Sequence, residues 1–140
     1  MPVTSTANAE WNGPLKEGSG KVSFGTFKGE YTRASRFETG QAGTTNPEQL
    51  IAAAHASCFS MQLSGLLTAD GHPPKSLQTK ASVTVEAGVG ITKIVLETVG
   101  DVPGVDAAAF TATANKAKEV CPVSRALAGV KDVSVTATLK

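Results

Sequence analysis

Between Leu50 and Leu67 the chain contains no Asp, Glu, Lys or Arg, and no other feature constrains its fold as strongly. That run lies inside a segment, Glu48 to Ala69, whose Ala, Leu, Met and Gln content favours a long helix. Asn46-Pro47-Glu48 marks the start: asparagine caps exposed amides, proline fits the first turn, and an early carboxylate complements the positive helix end. Asp70-Gly71-His72-Pro73-Pro74 ends the helix through turn chemistry. Leu50, Ala54, Cys58, Met61 and Gly65 recur at steps of four, four, three and four, which predicts an apolar stripe carrying Cys58. A helix this poor in polar surface cannot stand exposed along one side, so an oligomer that buries it is expected, most simply a two-fold dimer.

Around this helix the pattern is mixed. Ala7 to Asn12, Lys21 to Phe27 and Glu30 to Ser35 read as three short antiparallel strands punctuated by Gly18, Gly20, Gly25 and Gly29. Phe37 to Thr45 is loop-like, with Gly40 and Gly43. Beyond the helix, Ser76 to Glu86 and Ile91 to Val99 alternate apolar and polar residues and predict a hairpin. Asp106 to Val120 is a second helical pattern with Phe110, Ala114 and Ala117 on one side. Cys121-Pro122 interrupts it, because proline disfavours helical backbone at the residue before it; a short helical turn then runs through Ser124, Arg125 and Leu127. Asp132 to Leu139 alternates Val133, Val135, Ala137 and Leu139 inward as a last strand. With no regular βαβ alternation the class is α+β, and 140 residues suit one domain spanning 1–140.

Thirteen basic residues oppose twelve acidic ones, and a net charge of +1 offers no footprint for nucleic acid or an anionic membrane surface. Met1 to Ala9 lacks the blocks of a signal peptide, and uninterrupted apolar stretches fall short of a bilayer span. A soluble cytoplasmic protein is expected. In that compartment two cysteines make a static disulfide improbable, so Cys58 and Cys121 are either a transient redox couple or two small buried hydrophobes.

The residues supply every part that a thiol peroxidase needs: a nucleophilic thiol, a cation to hold its thiolate, an apolar approach and a second thiol. Three arginines occur, Arg33, Arg36 and Arg125. Arg36 stands in Ser35-Arg36-Phe37-Glu38, ahead of the long helix. Together with Thr45-Asn46-Pro47-Glu48, the stretch His55-Ala56-Ser57-Cys58-Phe59-Ser60-Met61, Val102-Pro103-Gly104-Val105-Asp106 and Cys121-Pro122-Val123-Ser124, this order of motifs resembles the OsmC/Ohr peroxidases, and their OsmC branch in particular. The motifs span nearly the whole chain.

The resemblance implies antiparallel sheets around a long central helix in an intertwined homodimer with two active sites between subunits. It implies that Cys58 attacks the peroxide, that Cys121 resolves the sulfenic acid as a disulfide, and that Arg36 and Glu48 activate the thiolate. An external dithiol of lipoyl type would restore the thiols, with no bound cofactor. Phe37, Phe59 and Met61 are candidates for an apolar approach favouring organic hydroperoxides over hydrogen peroxide. In a regular helix Glu48 and Cys58 are about 15 Å apart along the axis and cannot touch, so either Arg36 bridges part of that gap or, the favoured reading, Glu48 approaches the partner's Cys58 across antiparallel helices.

Two other readings stand beside this one. A non-catalytic dimer could use the same apolar helix to bind a hydrophobic ligand or a thiol. His55 and Cys58, spaced i, i+3, could begin a metal site with Cys121 and His72, but the set is sparse, and a packed or hydrogen-bonded His55 is preferred with no metal expected.

Overall fold

The computed structural model describes residues 1–39 and 41–140; Gly40, part of the expected loop, lies outside the described residues. Contacts divide the chain into two units, Met1–Leu50 and Ile51–Lys140.

The first unit carries β1 (Asn8–Asn12), β2 (Ser19–Phe24) and β3 (Phe27–Tyr31), an antiparallel sheet in that order. Gly25, at φ +52°, makes the tight turn that stacks Phe24 on Phe27 with ring centroids 4.8 Å apart. Gly20 pairs with Tyr31, and a Cβ there would overlap the tyrosine ring. Two strand boundaries differ from expectation. The second strand stops at Phe24, and the third runs from Phe27 to Tyr31 rather than Glu30 to Ser35, because Thr32 starts a short helix, α1 (Arg33–Phe37). Ser35 N–H donates to Thr32 Oγ1 (3.0 Å) and Thr32 N–H donates to Ser35 Oγ (2.9 Å), a reciprocal cap that turns the chain out of the sheet.

The long helix, α2 (Pro47–Ala69), starts where the sequence says it should: Gln49 N–H donates to Asn46 Oδ1 at 2.8 Å. In the second unit β4 (Ser76–Glu86) and β5 (Gly90–Asp101) form the expected hairpin, with a register shift at Thr84/Val85. β6 (Asp132–Leu139) lies parallel to β5, its Val133, Val135, Ala137 and Leu139 on the less exposed face. A parallel partner requires a crossover. Here the crossover is α3 (Ala107–Val120) followed by α4 (Pro122–Ala126), so Cys121 lies at the break between two helices on the way from β5 to β6.

Phe59, Leu63 and Leu67 of α2 are buried against Leu96 of β5 and Phe110 and Ala114 of α3. Each large side chain removed from water contributes about 1.5–3 kcal/mol. The buried row of α2 is thus His55, Phe59, Leu63 and Leu67, not the expected stripe: Met61 is 76% exposed and Gly65 is open. Because the helix has no charges between Leu50 and Leu67 to mark its outer side, several four-residue rows compete in sequence and only tertiary packing selects one. By length and composition α2 also meets the requirements of a membrane-crossing helix, with a mean hydropathy of 1.4 over its best window, which corrects the expectation that the apolar segments fall short. Its buried row faces protein core, and within the second unit Ser60 donates to Thr79 (2.7 Å), which lies 3.0 Å from the buried Thr98 hydroxyl.

Candidate active site

In the second unit Cys58 and Cys121 meet. Their Sγ atoms lie 2.9 Å apart, against about 2.04 Å in a disulfide, and both are free thiols. Cys58 reaches this position from the middle of α2 and keeps part of its surface accessible. Cys121 is fully buried, joined to the core beside Phe59 and Ala117. Its N–H donates to Ala117 carbonyl (2.9 Å), closing α3, while its carbonyl accepts from Arg125 N–H (3.0 Å), opening α4. Pro122 supplies the first position of α4 and gives up no needed donor.

The surroundings of the two sulfurs are unequal. Burial pushes the Cys58 thiol up, and its contact with Cys121 pushes it the same way against a weaker pull from the Val123 backbone. Burial also pushes Cys121 up, but this is outweighed by the bonds it receives from Cys58, from the Ser124 backbone and hydroxyl and from the Val123 backbone, so Cys121 is held below the usual thiol range. With Cys121 as the donor of the sulfur–sulfur bond, Cys58 would be the acceptor.

Behind this pair stands His55, fully buried, with Nε2 2.7 Å from Ser124 Oγ. Burial lowers its pKa, which keeps the imidazole neutral. The preferred sequence reading of His55 as a hydrogen-bonded residue therefore holds. Ser124 carried no role in the sequence reading. The available signal was its spacing, three residues after Cys121 across a proline-started turn, matching His55 three residues before Cys58. No group of three or more His, Cys, Asp or Glu side chains able to hold a metal occurs among the described residues.

Arg36 and Glu48 meet in the first unit. Arg36 Nη2 donates to Glu48 Oε1 at 2.7 Å, and Nε reaches Oε1 at 3.0 Å and Oε2 at 3.2 Å. The Glu48 side chain is only 6% exposed, whereas that of Arg36 is 40% exposed. Local structure fixes this geometry. Ser35 Oγ donates to Thr45 carbonyl (2.8 Å) and Asn46 Nδ2 donates to Ser35 carbonyl (2.9 Å), tying α1 to the two residues that lead into α2. The guanidinium also lies over the Phe37 ring at 5.4 Å.

Ser57, Cys58, Met61, Gln62 and Pro122 line an open concavity of about 450 Å³ on the second unit. Met61 contributes to it as expected. Phe59 does not, being fully buried in the core. Phe37 is half-exposed on the first unit.

Taken together, an α+β fold built on a long helix and a two-thiol site bridging that helix to a proline-broken one define a dithiol protein of redox type. A family model described as OsmC-like protein matches residues 40–136, and the chain belongs to that family. It is 46% identical over 133 residues to the Peroxiredoxin OsmC of Escherichia coli (strain K12), covering 91% of this chain and 92% of that protein. It is 37% identical over 107 residues to an organic hydroperoxide resistance protein of Xanthomonas axonopodis pv. citri, covering 71% and 72%. The fold is that of an OsmC-like protein from Mycoplasma pneumoniae, with a TM-score of 0.77 at 16% identity over 99% of each chain.

Proposed function

We propose that the chain is a cysteine-based peroxidase that reduces organic hydroperoxides, and hydrogen peroxide less well, through a Cys58 sulfenic acid and a Cys58–Cys121 disulfide. The observation that carries this reading is the 2.9 Å approach of two free thiols, one accessible and one buried. The names of the relatives, peroxiredoxin and organic hydroperoxide resistance protein, support the peroxidase role.

Cys58 Sγ attacks one peroxide oxygen; the O–O bond breaks, the other oxygen leaves as an alcohol once protonated, and Cys58 becomes the sulfenic acid. The proton that Cys58 gives up on becoming a thiolate ends on the departing alkoxide, so the alcohol leaves neutral. Cys121 then displaces hydroxide from the sulfenic sulfur, forming the disulfide and releasing water. An external dithiol, of lipoyl type in this proposal, restores both thiols by exchange. Arg36, fixed by Glu48, is assigned the cation that stabilises the reacting thiolate, an assignment that rests on the family resemblance. No bound cofactor takes part in the scheme.

The proposal extends to residues 1–140 as one OsmC-like domain, to a cytoplasmic setting and to a homodimer. The stretch of α2 from Leu50 to Leu67, which carries no charged side chain, supports the dimer, since only 22% of the most apolar part of the helix is buried within the protomer.

Mass spectrometry before and after one equivalent of cumene hydroperoxide tests the scheme. Loss of two hydrogens with a Cys58–Cys121 crosslink is expected, and it should be absent in Cys58→Ser. Thiols left unchanged by the hydroperoxide would favour a non-catalytic binding dimer instead.

A further inference from the structure

We propose that His55 and Ser124 form a clasp that holds the first turn of α4 against α2, and so keeps Cys121 within bonding reach of Cys58 when the sulfenic acid is resolved. Both are positioning residues, and the proposal rests on the dithiol reading above, to which it adds what sets the encounter of the two sulfurs.

The two helices meet as a ladder with two rungs. His55 and Cys58 stand three residues apart on α2, and Cys121 and Ser124 stand three residues apart across the start of α4. Three residues of helix advance by about 4.5 Å and stay on one face. Paired in reverse order, these residues give one rung at the sulfurs, 2.9 Å, and another between His55 Nε2 and Ser124 Oγ, 2.7 Å. Only the sulfur rung changes during the reaction, so the other can hold the spacing throughout.

α4 needs such a hold. It has five residues, none of them buried, and only Val123, partly buried, packs on the core. A helix this short does not persist unsupported. The His55–Ser124 contact is the one side-chain hydrogen bond between α4 and another element among the described residues. Its other end is fixed, since His55 is fully buried in the row of α2 that continues through Phe59 and Leu63. Nδ1 of His55 has no partner among the described residues, and a hydrogen there would be a donor stranded in the core. The neutral imidazole therefore carries its hydrogen on Nε2, and Ser124 Oγ accepts it.

In resolution Cys121 Sγ bonds to Cys58 Sγ, the S–O bond breaks, and hydroxide leaves with the Cys121 proton as water. The sulfurs have about 0.9 Å to close before they reach a disulfide bond length. A pair held this near reacts as if at very high concentration, an advantage lost whenever the first turn of α4 swings away. Slow resolution also leaves the Cys58 sulfenic acid open to a second peroxide and to sulfinic oxidation.

The first test needs no peroxide: the protein dithiol is equilibrated with glutathione disulfide, giving the protein disulfide and two glutathione thiols, and is read by acid quenching and mass spectrometry. Ser124→Ala should lower the oxidation constant about three- to tenfold, the effect of losing roughly one hydrogen bond. Ser124→Thr keeps the acceptor and His55→Gln keeps a donor near the Nε2 position, so both should stay within about twofold of the parent. In a second measurement, with cumene hydroperoxide and dimedone present together, Ser124→Ala should yield about three- to tenfold more dimedone-labelled Cys58 than the parent. A lower melting temperature alone would move neither readout. A parental oxidation constant and parental labelling in Ser124→Ala overturn the proposal, as would Ser124→Thr and His55→Gln both falling as far as Ser124→Ala. A parent protein in which glutathione disulfide gives no Cys58–Cys121 bond sinks the dithiol reading itself, a failure distinct from that of the clasp.

Discussion

Replacing Phe59 by alanine separates a core role from a substrate role for the residue beside the accessible thiol. Phe59 is fully buried and meets Leu96, Phe110 and Ala117 in the main cluster. Truncating such a phenylalanine costs about 3–5 kcal/mol, the transfer term plus the cavity left behind. With an unfolding entropy of about 2.1 cal/mol/K per residue, a chain of 140 residues should then melt roughly 10–17 °C lower. Circular dichroism melting at matched protomer concentration measures this, with Val89→Ala as the control, since Val89 is 73% exposed and its truncation should cost no more than about 0.5 kcal/mol. If Phe59→Ala melted within about 3 °C of the parent while KM for a bulky hydroperoxide rose, the packing argument would be refuted and the side chain returned to the substrate's path.

Met61, exposed at the Cys58 concavity, should behave in the opposite way: Met61→Ser is expected to lower kcat/KM for cumene hydroperoxide several-fold (~1 kcal/mol of lost apolar contact) with little change for hydrogen peroxide. Gly100→Ala should destabilise by about 1–3 kcal/mol, because its Cβ would stand 2.6 Å from Phe110 Cζ; an unchanged urea midpoint would contradict that crowding. Glu48→Gln should cost only about 1 kcal/mol of stability, given a partner as exposed as Arg36, yet lower peroxidase kcat/KM at least tenfold; equal activity would remove Glu48 from the mechanism. His55 makes stability pH-dependent. Its folded pKa lies below the unfolded value of about 6.5, so its contribution is complete above that pH and is lost as pH falls toward the lowered value, by at most about 1.4 kcal/mol per pH unit. His55→Gln should lack that decline, and urea midpoints between about pH 7.5 and pH 5 that fall in parallel for both proteins would argue against it.

The hairpin, the two main helices and the break at Cys121-Pro122 were legible because each has a local cause: alternation in β4 and β5, capping at Asn46, proline after Cys121. The short α1 was not, since Tyr31 and Thr32 look like strand residues and only the reciprocal bonds of Thr32 and Ser35 reveal the turn. Which face of α2 is buried could not be read from a segment without charge contrast. The parallel direction of β6 is likewise a property of the crossover path, not of its alternation. At the site, the family motifs pointed to Arg36, Glu48, Cys58 and Cys121, and the structure pairs Arg36 with Glu48 and Cys58 with Cys121. The His55–Ser124 contact was hidden, because its two residues stand 69 apart in the chain and only the fold brings them together.

The crossover from β5 to β6 has a consequence for a chain emerging from the ribosome. Its second sulfur sits on a connection that is anchored only when the final strand docks against β5, the latest and most sequence-distant pairing in that sheet. A nascent polypeptide still missing residues 132–139 holds both thiols without the scaffold that aligns them, so competence for oxidation waits until β6 has emerged and paired with β5.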